Sequence, residues 1–458
     1  MTQATNDPKT TETGHLIPFR EAARYWAKLG FINFGGPAGQ IAIMHDELVE
    51  KKRWISNNRF LHALNYCMLL PGPEAQQLAI YIGWLLNGTW GGIFAGVLFV
   101  LPAFFLIMGL TWTYAAHGDV TWVAAVFYGL RAAVIGLVAV AVIRVGSKAL
   151  KNPVMYVIAA AAFVAIFFVK VPFPLIIVAA ALVGLVGLRL RPALFPAADL
   201  HGAAEEDDVL IADHDDAVSS STRFRSLKVL LVGLVVWWVP LGLVMLWRGT
   251  DDTLSKEALF FSQAAMVTFG GAYAVLSYIN QAAVQTFGWL VPGQMVTGLG
   301  LAESTPGPLI MVTQFVGFLG AYRYPGGLDP VVAGMLGATV TVWATFVPCF
   351  VWIFLGAPYI ERLRGNRSLG AALGAVTAAV VGVILNLAIT FGIAALFADV
   401  SEAEVLGTTF PLPDATSMDV FAVALAAIAF LGLWKHKWNV LWVVGGSAVA
   451  GLVYRGIF

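Results

Sequence analysis

The stretch Leu69-Leu70-Pro71-Gly72-Pro73-Glu74-Ala75-Gln76-Gln77 sets two prolines in the middle of an apolar run. The motif recurs in Glu303-Ser304-Thr305-Pro306-Gly307-Pro308, with Pro-Gly-Pro repeated 235 positions later. Each proline removes an N–H donor and clashes with the preceding turn, so a helix stops there. In hydrocarbon such a break is tolerated only where the freed backbone groups are buried in protein or line a cavity. The helix that follows begins with unpaired N–H groups and a positive dipole end, which suits an anion. A packing kink is the alternative reading, and two breaks at equivalent positions weigh against it.

Outward from these breaks the copying continues. Phe34-Gly35-Gly36 recurs as Phe269-Gly270-Gly271 and Trp54 as Trp289, at the same offset. Pro102 matches Pro348, and Ala132-Ala133-Val134-Ile135-Gly136 matches Ala378-Ala379-Val380-Val381-Gly382, at an offset of 246. The chain is therefore two copies of one unit. Pro37 follows the first Phe-Gly-Gly, whereas Ala272 follows the second. Each Phe-Gly-Gly is a second break, or a close backbone approach, in the first helix of its repeat.

Of the 458 residues, 59% are hydrophobic and only 12% charged. A water-soluble surface needs roughly a quarter charged residues, so most of this exterior faces lipid. The formal net charge of zero gives no reason to expect a nucleic-acid partner. Cys67 and Cys349 sit in apolar runs and offer neither a disulfide framework nor zinc spacing. His-Glu-x-x-His, Gly-x-Ser-x-Gly and phosphate-binding Gly-Lys-Ser/Thr motifs are missing. An ATP-driven pump or a membrane hydrolase thus lacks support, and neither a cofactor nor a resident metal is expected.

The expected fold is an all-α polytopic membrane protein of about thirteen transmembrane segments, each near 20 residues. They lie at 20–48, 61–87, 89–116, 120–147, 153–170, 172–189, 229–247, 257–283, 290–320, 328–356, 369–397, 418–434 and 439–457. Residues 1–18 read as a disordered cytoplasmic tail and 19–189 as the first repeat. An acidic cytoplasmic linker (190–228) and a linking helix (229–254) follow, then the second repeat (255–400) and C-terminal helices (401–458). The Pro-Gly-Pro segments read equally as one broken helix or two short ones. Seven crossings before the second copy would invert it, as in many secondary transporters. Segments that cross twice or not at all would make the halves parallel.

Lys and Arg near span ends set orientation. Arg20, Arg24, Lys148, Lys151, Arg189, Arg191, Lys435 and Lys437 collect on one side, which is expected to be cytoplasmic with the N-terminus. Lys51-Lys52-Arg53 and Arg59 fall on the poorer side. That placement fits badly: either the first segment does not fully cross, or those charges serve an outward-facing vestibule.

Polar residues at membrane depth are costly and point to a cavity or a partner. The candidate substrate-binding set is Gly35, Gly36, Pro71, Gly72, Pro73, Glu74, Gln76, Gln77 and Arg131 in the first repeat. In the second it is Gly270, Gly271, Glu303, Ser304, Thr305, Pro306, Gly307 and Pro308. Arg131, whose repeat counterpart is Thr377, could hold a dianion by forked hydrogen bonds or pair with Glu74 or Glu303.

The run Lys28-Leu29-Gly30-Phe31-Ile32-Asn33-Phe34-Gly35-Gly36-Pro37-Ala38-Gly39-Gln40 resembles the chromate transporter family. So does Leu64-Asn65-Tyr66-Cys67-Met68-Leu69-Leu70-Pro71-Gly72-Pro73-Glu74-Ala75-Gln76-Gln77, and the second copies match its long, two-domain form. The resemblance implies a bacterial inner-membrane exporter of chromate, driven by the proton motive force, that confers chromate resistance. It also implies recognition of sulfate, a tetrahedral dianion of similar size. A homodimer is left open. The competing readings are a sulfate or organic-anion carrier, an intramembrane enzyme and a passive channel. The enzyme reading lacks a convergent catalytic pair, and saturable, ΔpH-dependent flux would exclude the channel.

Overall fold

The computed structural model describes residues 17–195, 223–269, 271–356, 367–405 and 408–457. The tail to residue 16, residues 196–222 of the acidic linker, and Gly270 lie outside the described residues.

The first half comprises α1 (Phe19–Ile32), α2 (Gly36–His45), α3 (Asn57–Leu69), α4 (Glu74–His117), α5 (Thr121–Ala149), α6 (Pro153–Phe167) and α7 (Phe173–Leu190). Helix α8 (Arg223–Arg248) leads to the second half. There follow α9 (Thr253–Met266), α10 (Ala272–Gln281), α11 (Gln294–Ser304), α12 (Val312–Arg323), α13 (Pro330–Gly356) and α14 (Arg367–Leu396). The chain closes with α15 (Val420–Trp434) and α16 (Val440–Ile457). Six helices (α4, α5, α7, α8, α13 and α14) are long and apolar enough to cross a bilayer, and α6, α12, α15 and α16 are shorter apolar helices.

The protein is an all-helical polytopic membrane protein. Its helix starts are set by short polar caps. The Ser56 hydroxyl accepts from the Arg59 N–H, the Asn152 amide from Met155, Asp252 from Leu254 and Asp419 from Ala422. One small antiparallel hairpin, β1 (Val400–Val405) with β2 (Thr408–Pro413), joins α14 to α15 and was not anticipated.

Four of the apolar segments turn back at their breaks. In the first, Lys28 Nζ lies 3.7 Å from Glu47 and Lys52 Nζ 3.9 Å from Glu21. Lys52 also sits 4.5 Å from the Trp54 ring. The chain enters along α1, breaks at Phe34-Gly35-Gly36, and returns along α2 and its π-helical continuation Asp46–Lys51 to the end it came from.

The next segment does the same. Helix α3 starts beside His45, which hydrogen-bonds Asn57 at 2.8 Å. After Pro-Gly-Pro, the first part of α4 brings Asn87 to within 2.9 Å of the Ile17 carbonyl. There α4 itself breaks, at Asn87 and Gly88, and doubles back. The two arms pack closely, with Gly83 against Gly91 and Ala95. The second arm runs to the far end, where Tyr114 meets Gln294 at the start of α11.

The second repeat opens at that far end. Arg248 Nη2 pairs with Asp252 at 3.0 Å and donates to the Gly326 carbonyl, which gathers the start of α9 and the exit from α12. Corresponding rings confirm the copying. Trp54 meets Tyr25 edge-on at 5.6 Å, and Trp289 meets Phe260 edge-on at 5.8 Å.

The repeats are therefore inverted. Neither the first segment nor the first Pro-Gly-Pro segment crosses, so two crossings drop out before the second copy and the odd count survives. Lys51-Lys52-Arg53 and Arg59 belong to the basic end, not to the poorer side where counting crossings put them. The reason is the turn at Phe34-Gly35-Gly36, which the apolar pattern alone does not reveal. Cysteines placed at Lys51 and Lys151 should react with a membrane-impermeant maleimide from one face, and those at Asp251 and Asp329 from the other. Labelling of the first pair from opposite faces would contradict the re-entrant reading.

Candidate functional site

The four breaks meet at the centre of the bundle. The Gly307 N–H donates to the Asn33 carbonyl at 3.2 Å, and the Gly72 N–H donates to the Thr268 carbonyl at 2.9 Å. Asn33 and Thr268 are counterparts, as are Gly72 and Gly307. Each Pro-Gly-Pro of one repeat is thus tied to the residue before Phe-Gly-Gly of the other, by the same bond made twice around a pseudo-twofold axis.

The surroundings repeat as well. Gly72 and Gly307 take φ values of +125° and +124°, which side-chain-bearing residues rarely adopt. Gly72 faces Cys349 and Gly307 faces Ala103, a further counterpart pair at the offset of 246.

A cavity of about 10 Å³ lies among these elements. Its walls are Gly72, Pro73 and Glu74 from one repeat and Pro308, Leu309 and Ile310 from the other, closed by Pro37, Gln40, Gly271 and Ala272. Four return helices therefore begin here, at Gly36, Glu74, Ala272 and Leu309. Their N-termini direct partial positive charge towards one place. About 10 Å³ is close to the least that holds one water, so the breaks pack closely here.

The remaining candidates fall around this centre. Glu74 opens α4 on the cavity wall. Glu303, 4% exposed, accepts a hydrogen bond from the Tyr273 hydroxyl at 2.5 Å, one residue beyond the wall at Ala272. The Ser304 and Thr305 hydroxyls bond back to the Leu301 carbonyl, each at 2.9 Å. Gln77 donates to the Pro71 carbonyl at 2.8 Å and braces the first break from within, while Gln76 reaches the Gly96 carbonyl at 3.5 Å. Gly35 and Gly36 both have positive φ and make the first turn. Pro71 and Pro306 flank the two breaks.

Arg131 lies away from the cavity wall. Its Nε donates to the Thr297 hydroxyl at 2.8 Å, tying α5 to the first turn of α11. It therefore pairs with neither Glu74 nor Glu303.

Sequence reasoning missed the residues that tie the breaks together. Gln40 is fully buried, and its Nε2 donates to both the Asn33 and the Gly307 carbonyls. Its counterpart is Val275, so only one of the two cross-repeat contacts carries this brace. Gln40 stood within the quoted Phe-Gly-Gly run, and a buried amide there was the available signal.

A wider cleft of about 440 Å³ opens at the basic end between α5, α15 and α16. Arg144, Ser147, Lys437, Trp434 and Trp438 line it.

A family model described as Chromate transporter matches residues 20–185 and 256–452. A chromate transport protein of Pseudomonas aeruginosa is 32% identical over 427 residues, covering 93% of this chain and 89% of its own. One of Cupriavidus metallidurans is 29% identical over 472 residues, covering 97% of each. A probable chromate transport protein of Synechococcus elongatus is 30% identical over 385 residues, covering 82% of this chain and 86% of its own. No solved structure matches the chain.

Proposed function

The chain belongs to the chromate transporter family, and we propose that it exports chromate from the cytoplasm across the bacterial inner membrane, using the proton motive force, and so confers chromate resistance. It is a transporter, not an enzyme. The observation that carries the site is the reciprocal pair of hydrogen bonds, Gly307 to Asn33 and Gly72 to Thr268.

In this proposal the dianion binds where the four return helices begin, held by backbone N–H groups. Such donors suit a tetrahedral oxyanion, and they would separate chromate from sulfate poorly. Arg131 adds counter-charge from the α5–α11 contact rather than by touching the ion. The basic end is cytoplasmic, with the N-terminus, and its excess of Lys and Arg supports this now that Lys51-Lys52-Arg53 join it. The ion enters past Arg144 and Lys437. Rocking one repeat against the other opens the cavity first to that end and then to the far one. An inside-negative potential favours outward movement of a dianion by about 2.3 kcal/mol per charge per 100 mV.

Chromate binding to the purified protein, with sulfate as competitor, tests this reading. Saturable binding that sulfate displaces is expected, and no binding would remove the central cavity as the site. Arg131→Ala should weaken binding roughly tenfold, the order of a charge acting across the bundle at an effective dielectric constant of about 20. Arg131→Lys should recover part of it. Full affinity in Arg131→Ala would take Arg131 out of the proposal.

A further inference from the structure

One carboxyl group in the second repeat has no role in anion binding, and its surroundings are unusual. Glu257, in the second turn of α9, is 0% exposed, and its oxygens have no side-chain hydrogen-bond partner, the backbone of Ala321 in α12 being the one polar group turned towards them. Glycines make room for it. A Cβ at Gly320 of α12 would lie 2.7 Å from Glu257 Oε1, and one at Gly337 of α13 would lie 2.7 Å from Oε2. Thr341, one turn beyond Gly337, is also fully buried with an unpartnered hydroxyl, and it packs on Gly317 of α12.

The first repeat has no carboxyl at the equivalent position. The counterpart of Glu257 is Ala22, and the counterpart of Gly320 is Leu85. The carboxyl and the space for it were added to one repeat only, near the end where that repeat opens.

The charged groups around it are accounted for. At the start of α9, its capping residue Asp252 is paired with Arg248 of α8, and on the helix itself Lys256 is exposed. Arg323 of α12 donates to the Trp289 carbonyl and to Gln294. Helix α13 carries no Lys, Arg, Asp or Glu, and α10 contributes only tyrosines as titratable groups. Among the described residues, no cation is therefore paired with Glu257.

We propose that Glu257 is the group that binds and releases the coupled proton, exchanging it with water at the end that carries Arg248, Asp252 and Arg323. The proposal rests on the proton coupling stated under Proposed function. An uncharged carboxyl can sit in this setting, whereas a carboxylate there needs water or a partner. Losing the proton therefore requires α9 to part from α12 and α13, and closing them again requires the proton back. Protonation and repeat movement are linked through that one contact.

The test uses the full chain in proteoliposomes and two readouts. Chromate counterflow, at equal pH and with the potential clamped, needs no proton movement. Accumulation against a gradient, driven by an imposed pH difference, does. Wild type should do both, and Glu257→Gln should keep counterflow while losing at least tenfold in pH-driven accumulation. Accumulation at the wild-type level in Glu257→Gln would overturn the assignment and leave the coupling intact. A wild-type protein that ignores the pH difference would instead remove the coupling itself. If Glu257→Gln also loses counterflow, Glu257→Asp decides. A shifted pH profile supports the role, and an unshifted profile overturns it.

Discussion

Replacing Gly307 by Ala should reduce chromate transport at least tenfold, with the protein still inserted in the membrane. Two independent strains coincide at that position. A φ of +124° is open to glycine but costs other residues about 1–3 kcal/mol. The added Cβ would also lie 2.4 Å from the Ala103 Cβ, and Ala103 has no flexible side chain to move aside. The strain falls on the peptide whose N–H bonds the Asn33 carbonyl. Gly72→Ala should be milder although its φ is nearly the same. There the nearest atoms are Cys349 Sγ and Gln77 Nε2, both at 2.8 Å, and both end side chains that can rotate. Uptake rates for the two variants, normalised to membrane protein, check this. Equal and near-normal rates would show that the cross-repeat contact does not govern transport.

The second large effect is expected at Gln40. Its amide reaches the Asn33 and Gly307 carbonyls from within the first repeat and holds two backbones of opposite topology together. Gln40→Ala leaves the Gly307 carbonyl without this donor, and a buried group orphaned in that way costs about 1–3 kcal/mol. The Asn33 carbonyl loses less, because it still accepts from the Gly307 N–H. Transport should fall about tenfold. Thermal unfolding of purified Gln40→Ala, read beside Gly307→Ala, separates loss of stability from loss of transport. A Gln40→Ala protein with wild-type stability and rate would show that the brace is dispensable.

Much of the architecture could be read from the chain because membrane folds write themselves in long apolar runs and rare residues. The Pro-Gly-Pro pair and the two offsets identified the repeats and their breaks, and the runs Lys28 to Gln40 and Leu64 to Gln77 carried the family resemblance. What escaped was the path of the chain at each break. Phe34-Gly35-Gly36 looks the same in a kinked crossing helix and in a hairpin that turns back. Only the pairing of Lys28 with Glu47 and of Lys52 with Glu21 distinguishes them, and those contacts depend on folding. The same limit applies to the site. Glu74, Gly72, Pro73, Gly271 and Pro308 were recognisable from their motifs and do line the cavity. Arg131 was picked for its charge at mid-span, but its partner across the bundle, Thr297, decides where it acts. Asn33 and Thr268 contribute backbone carbonyls, which no side-chain reading would select. Glu257 lay at the edge of an apolar run, where a carboxylate reads as an interfacial charge. Its burial comes from glycines 60 to 80 positions away in the chain.

The most direct test of the central claim is chromate uptake into energised, everted membrane vesicles containing the protein, with an uncoupler and with Gly307→Ala in parallel. Saturable uptake is expected, abolished by the uncoupler and at least tenfold lower in Gly307→Ala. Uptake no greater than in vesicles lacking the protein would contradict the proposed export of chromate.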